Sequence, residues 1–162
     1  MTEAGLLFIS DEHKEFYRKH AQKYARDPER LSLFYLLGVS DETRRNIREL
    51  YDENAGAIIP DGLAARWQTS SSRALCRLAF NLFHGEPVLT DPDADGETLA
   101  EETAAYSTAA IFSKLNEWAP YALEALRIRY RIPRATPPRV LNENRKNNSR
   151  GPVQAFPNTG KF

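Results

Sequence analysis

The chain has little sulfur: one cysteine, Cys76, and one methionine among 162 residues. A single cysteine excludes an internal disulfide and suits a reducing cytoplasm, where the protein is expected to act. Long apolar runs are also missing. Leu6 to Ile9 is too short for the core of a signal peptide, and nothing approaches the ~20 apolar residues of a membrane span, so no membrane partner is expected. Net charge is absent as well, with 22 basic against 22 acidic side chains, which argues against a surface built wholly for nucleic acid. No nucleophile elbow, phosphate loop or dinucleotide fingerprint occurs. The material for catalysis is thin, no catalytic residue or cofactor is assigned, and a non-enzymatic role is favoured.

The length fits one domain, able to bury roughly two-thirds of its unfolded surface. The balanced charge is unevenly spread. From Pro133 to Phe162 the basic residues Arg134, Arg139, Arg145, Lys146, Arg150 and Lys161 face Glu143 alone. The same stretch holds five prolines and five asparagines, a composition that cannot bury enough surface to order itself. The expected organisation is therefore a helical domain over 1–132 and a basic tail over 133–162, disordered or ordered by a partner. Removing the tail is expected to leave thermal stability nearly unchanged and to weaken partner binding.

Helix starts punctuate the first half. Ser10 before Asp11 and Glu12, Asp27 before Pro28, and Ser40 before Asp41 and Glu42 each join a capping side chain to a first turn suited to it. The first helix should present Phe16, Tyr17 and Tyr24 inward; the second should run over Leu31 to Leu37 and stop at Gly38. The third should reach about Asn54 with Thr43, Ile47, Leu50 and Tyr51 inward. The echo between LLFISDE and LLGVSDE reads as two independent helix starts, since a repeat architecture needs three copies. Ser70 to Gly85 is apolar around most of its circumference, apart from a stripe of Arg73, Arg77, Asn81 and His84, and should be the central buried helix. Glu97 to Trp118 reads as one long Ala-rich helix; Pro120 starts or kinks a last one, Tyr121 to Tyr130, that buries Leu123, Leu126 and Ile128. The fold class is all-α: five to six helices around a central one.

Four constellations are candidates for function. Leu36 to Leu50 has the outline of a helix-turn-helix with Arg44, Arg45 and Arg48 as an outward basic face. Phe34, where that motif wants a small residue, and Arg44, where it wants an apolar anchor, both violate it, leaving two packed helices joined by a capped turn as the alternative. Arg44 and Arg45 should both be exposed and cheap to remove. Trp67, Gln68 and Thr69 set an amphipathic ring and two hydrogen-bonding groups at the mouth of the central helix, near Arg73, where an anion or partner loop could bind. Equally, Trp67 plugs the core while the other two satisfy turn backbone. Asp91, Asp93, Asp95, Gly96 and Glu102 fit the spacing of a calcium loop. Pro87, Pro92 and the want of a second loop count against it, and no metal is favoured. His13 and His20, seven apart, read better as exposed helical histidines than as metal ligands, and Cys76 as an inert buried thiol.

The segments FISDEH, LGVSDETRRNIRELYD and WQTSSSRALCRLAFNLF together resemble a domain of unknown function found in small proteins of Gram-positive bacteria, their phages and mobile elements. The resemblance covers about the first half of the chain and implies no activity. The reading that follows is an accessory or regulatory protein of such an element or its host, acting by binding a protein partner, with self-association open. A DNA-binding regulator, using Arg44, Arg45, Arg48 and the basic tail over a degenerate helix-turn-helix at 30–51, is the alternative. A calcium-responsive binding protein is a third.

Overall fold

A computed structural model describes residues 5–134. The basic tail expected over 133–162 therefore falls almost wholly outside the described residues. These fold as α1 (Asp11–Lys23), α2 (Pro28–Leu37), α3 (Asp41–Arg45), α4 (Ile47–Leu50), β1 (Tyr51–Asp52), β2 (Ala57–Ile58), α5 (Ser70–His84), α6 (Gly96–Ala104), α7 (Thr108–Leu115) and α8 (Ala119–Tyr130), with tight 3-10 turns at Pro60–Ala64 and Asn116–Trp118. The class is all-α, with one two-stranded antiparallel ladder pairing Tyr51 with Ile58 and Asp52 with Ala57.

Two helices share the centre. From Leu31 in α2 through Ser40 beyond its end every residue is buried, and α1, α5 and α8 all pack against the helix. Asp27 caps its start by accepting from the Arg30 amide at 2.9 Å. α5 is the second centre, burying Ala74, Leu75, Cys76, Leu78, Ala79, Phe80 and Leu82. Thr69 and Ser72 cap each other's amides there, and Gly85 closes the helix at φ +92°, a left-handed conformation that favours glycine. Ring stacking ties α1 to α2: Phe34 lies between His20, at 3.9 Å and 8°, and Tyr24, at 5.6 Å and 6°. The residue that spoils the helix-turn-helix pattern is thus a plate in the core.

Several expected elements are cut shorter. The third helix breaks at Asn46 and gives way to β1 after Leu50. Asp52 accepts from the Asn54 and Ala55 amides at 2.8 and 3.1 Å, and Gly56 at φ +67° completes the turn. The long helix divides at Ser107, whose hydroxyl caps α7 by accepting from Ala110 N at 3.2 Å. Pro120 stands in the first turn of α8, so it starts a helix and kinks none. α8 buries Ala122, Glu124, Ala125 and Ile128, while Leu123 is 53% exposed, contrary to expectation. No helix among the described residues is long and apolar enough to cross a membrane.

His13 and His20, expected on the surface, are buried at 0% and 3% exposure. α1 packs by an arc that includes both, with Tyr17 between them. The His13 Nε2–H donates to Tyr35 O at 2.8 Å while Nδ1 accepts from the Ile9 amide at 3.3 Å, which requires a neutral ring. Burial pushes both imidazoles down to about 4.

Candidate functional site

α1 carries Phe16, Lys19, His20 and Lys23 at helical spacings of three, one and three, so all four border one side of the helix. Across from them, the broken α3–α4 unit supplies Arg44, Ile47 and Arg48, and the hairpin corner supplies Tyr51, Asp52, Glu53, Asn54 and Ile59. Together they line a cleft of about 730 Å³. A second recess of about 440 Å³ lies beside it, with Arg48 and Ile59 as the shared wall and Glu49, Asp61, Ala64, Ala65 and Arg66 beyond. Ile59 N bonded to Leu50 O at 2.9 Å holds the shared wall in place.

The lining is mixed: Phe16, Ile47 and Ile59 are apolar, and the charged side chains carry both signs. Lys23 Nζ bonds Glu53 Oε2 at 2.8 Å, joining α1 to the hairpin turn with each side chain about half exposed (48% and 51%). That bond holds the Glu53 carboxyl below its ordinary value and the Lys23 amine above. Lys19 and Arg48 make no hydrogen bond or salt bridge among the described residues.

Of the arginines singled out by the sequence, Arg44 and Arg48 line the cleft and Arg45 does not. Arg44 departs from expectation. Its side chain is 16% exposed, and Nη1 donates to Gly38 O at 2.6 Å and Val39 O at 3.3 Å, satisfying carbonyls that the end of α2 leaves free. Arg45 is 75% exposed and pairs with Asp41 at 2.5 Å, one helical turn away. Ser40 offers α3 no capping bond; its hydroxyl donates to the Glu42 carboxylate.

Trp67, Gln68 and Thr69 lie apart from the cleft and have local partners. Trp67 Nε1 donates to Glu49 Oε2 at 3.0 Å, and its ring packs against the core. Gln68 Nε2 donates to Gly62 O at 3.0 Å, and Gln68 Oε1 accepts from the Ser72 hydroxyl at 2.7 Å. Arg73 is partly buried, and its Nε has no hydrogen-bond partner among the described residues. Burial pushes the Cys76 thiol up to about 12, which keeps it protonated and inert.

The acidic loop takes its carboxylates to separate tasks. Asp95 caps α6 by accepting from Glu97 N and Thr98 N at 3.0 and 2.9 Å, and Asp91 accepts from Asp93 N at 3.1 Å. Glu102 accepts from the Thr90 amide and hydroxyl. Among the described residues no group of three or more His, Cys, Asp or Glu is placed to hold a metal ion.

A family model described as a family of unknown function, DUF6075, matches residues 3–138. The chain belongs to that family. The match takes in all the described helices, where the resemblance in the sequence motifs reached only the first half. No curated protein and no solved structure matches. Within this family member, the cleft residues missed by sequence reasoning are Lys19, His20, Lys23, Glu53 and Ile59. The spacing on α1 could have found the first three. The other two depend on a hairpin of two-residue strands, too short to leave a periodic signal.

Proposed function

We propose that the protein is a non-enzymatic accessory or regulatory module, acting in the cytoplasm, that binds a protein partner through the cleft between α1 and the hairpin corner. The observation that carries this reading is the make-up of that cleft. Four cations, Lys19, Lys23, Arg44 and Arg48, share it with Asp52 and Glu53 beside the apolar Phe16, Ile47 and Ile59. A protein segment of mixed character can answer both signs and bury apolar side chains. The DNA reading loses its reading head: α3 has five residues, about 7 Å of helix, and Arg44 turns inward onto α2. The lone thiol and the two α1 histidines are buried and, in the case of His13, already bonded to backbone, while the exposed His84 at the end of α5 lies outside the cleft, which favours binding over catalysis. A role in a phage, a mobile element or its Gram-positive host rests on the motif resemblance and is tested by the neighbours of the gene.

The test sets a random-peptide display selection on the full chain beside filter binding of random DNA across a salt series. Enriched peptides whose binding is lost in Arg48→Glu support the proposal. DNA binding that falls steeply with salt, without peptide enrichment, overturns it.

A further inference from the structure

The two recesses adjoin at Arg48 and Ile59, so an occupant that passes from one to the other along this groove is elongated. Bases of a single strand would need open ring faces to stack on. Of the aromatic rings in the groove, Tyr51 is 2% exposed and Phe16 is partly buried against His20 and Phe34, which leaves no series of rings for successive bases. Beyond Arg48 the second recess turns acidic at Glu49 and Asp61, so the anionic part of an occupant ends there, which a continuous phosphate backbone cannot do.

One end of the groove already holds a carboxylate. Glu53 reaches Lys23 from the hairpin turn, and both groups are open to water. The turn that presents Glu53 is held independently of this pair. Gly56 N bonds Asp52 O at 2.8 Å, and Arg30 Nη2 bonds Gly56 O at 2.9 Å while Arg30 Nε bonds the Tyr51 hydroxyl at 2.9 Å. Exchanging Glu53 for another carboxylate on Lys23 therefore disturbs one exposed ion pair and leaves the fold intact.

Resting on the protein-binding reading above, we infer that the occupant is an extended acidic segment of the partner, one of whose carboxylates displaces Glu53 from Lys23. Glu53 is then an internal competitor that sets how acidic a segment must be to enter, and Lys19 and Arg48, whose side chains make no hydrogen bond or salt bridge among the described residues, receive the neighbouring carboxylates. Charge complementarity selects the occupant, and the apolar Phe16, Ile47 and Ile59 take the side chains between.

Fluorescence anisotropy tests this with the full-length chain and a fluorescein-labelled octapeptide alternating Glu and Ile, with the Lys–Ile octapeptide as control. The wild type should bind the Glu–Ile peptide in preference. Glu53→Gln should bind it about two- to fivefold more tightly, the scale of one exposed ion pair. Arg48→Glu should weaken it about tenfold, and Lys23→Met should abolish the gain of Glu53→Gln. If Glu53→Gln binds no better while Arg48→Glu still weakens binding, the competitor role is overturned and the cleft reading survives. If Arg48→Glu changes nothing, or the Lys–Ile peptide binds equally, or no peptide binds either wild type or Glu53→Gln, both are overturned.

Discussion

His13 and His20 show how a residue's cost changes when its surroundings are known. Each has a folded-state value of about 4 against an ordinary 6.5, with burial as the leading cause. The unfolded chain therefore binds more protons between those values, so stability should be full above about pH 6.5 and decline as pH falls toward 4. The expected loss between pH 7 and pH 5 is roughly 2 kcal/mol per histidine, read by urea unfolding at both pH values. His20→Phe keeps a ring against Phe34 and should remove that residue's share of the loss, whereas an unchanged pH slope would mean His20 is not buried neutral. Arg44 and Arg45 make the same point with charge. Arg44→Ala strands the Gly38 and Val39 carbonyls and should cost about 1–3 kcal/mol in chemical denaturation. Arg45→Ala removes an exposed pair and should cost less than about 0.5 kcal/mol. Equal costs would show that the guanidinium of Arg44 does not hold the end of α2.

Between elements, α1 and α2 come close at Gly38, where α2 ends. Its backbone is right-handed at φ −78°, so glycine is not needed there for conformation. It is needed for room: a Cβ would stand 2.7 Å from His13 Cδ2, 3.0 Å from Phe16 Cδ1 and 3.1 Å from Phe34 O. Gly38→Ala should therefore push α1 off α2 and cost about 1–3 kcal/mol by overpacking, seen as a lower urea midpoint. Because Phe16, His20, Lys19 and Lys23 ride on α1, the same change should alter peptide binding at the cleft, a response that Arg45→Ala should not give. The elements themselves were legible to different degrees. Ser10 and Asp27 marked helix starts because a cap is a local device, written in adjacent residues. The inward turn of His13 and His20 was not legible, since an imidazole suits either face until its partners, Tyr35 O and the Phe34 ring, are brought in from another helix. The break after Leu50 was hidden for a related reason: Tyr51 continues a helical stripe and begins a strand equally well, and Gly56 with Arg30 decides between them. For the cleft, Arg44 and Arg48 were visible as cations, but the opposing wall on α1 was not.

Across the whole molecule, Arg134 is the residue at which the extent of the domain can be tested. Composition placed the boundary at Pro133, yet Arg134 Nη2 bonds Glu124 Oε1 at 2.7 Å, and the family match continues to residue 138. Glu124 is on the buried side of α8 with its side chain 5% exposed, and its other cationic partner, Arg127, stands farther off at 3.4 Å. A buried carboxylate that loses a close guanidinium keeps its desolvation cost and forfeits most of the compensation. Arg134→Ala in the full chain should therefore cost about 1–3 kcal/mol, while Arg127→Ala, a longer and 42% exposed contact, should cost less than about 1 kcal/mol. Glu124→Gln made together with Arg134→Ala should recover part of the loss, because the amide removes the uncompensated charge. Urea unfolding of the three variants decides it. If Arg134→Ala is as stable as wild type, the domain ends where composition put it, and the residues after Ile132 add nothing to its core.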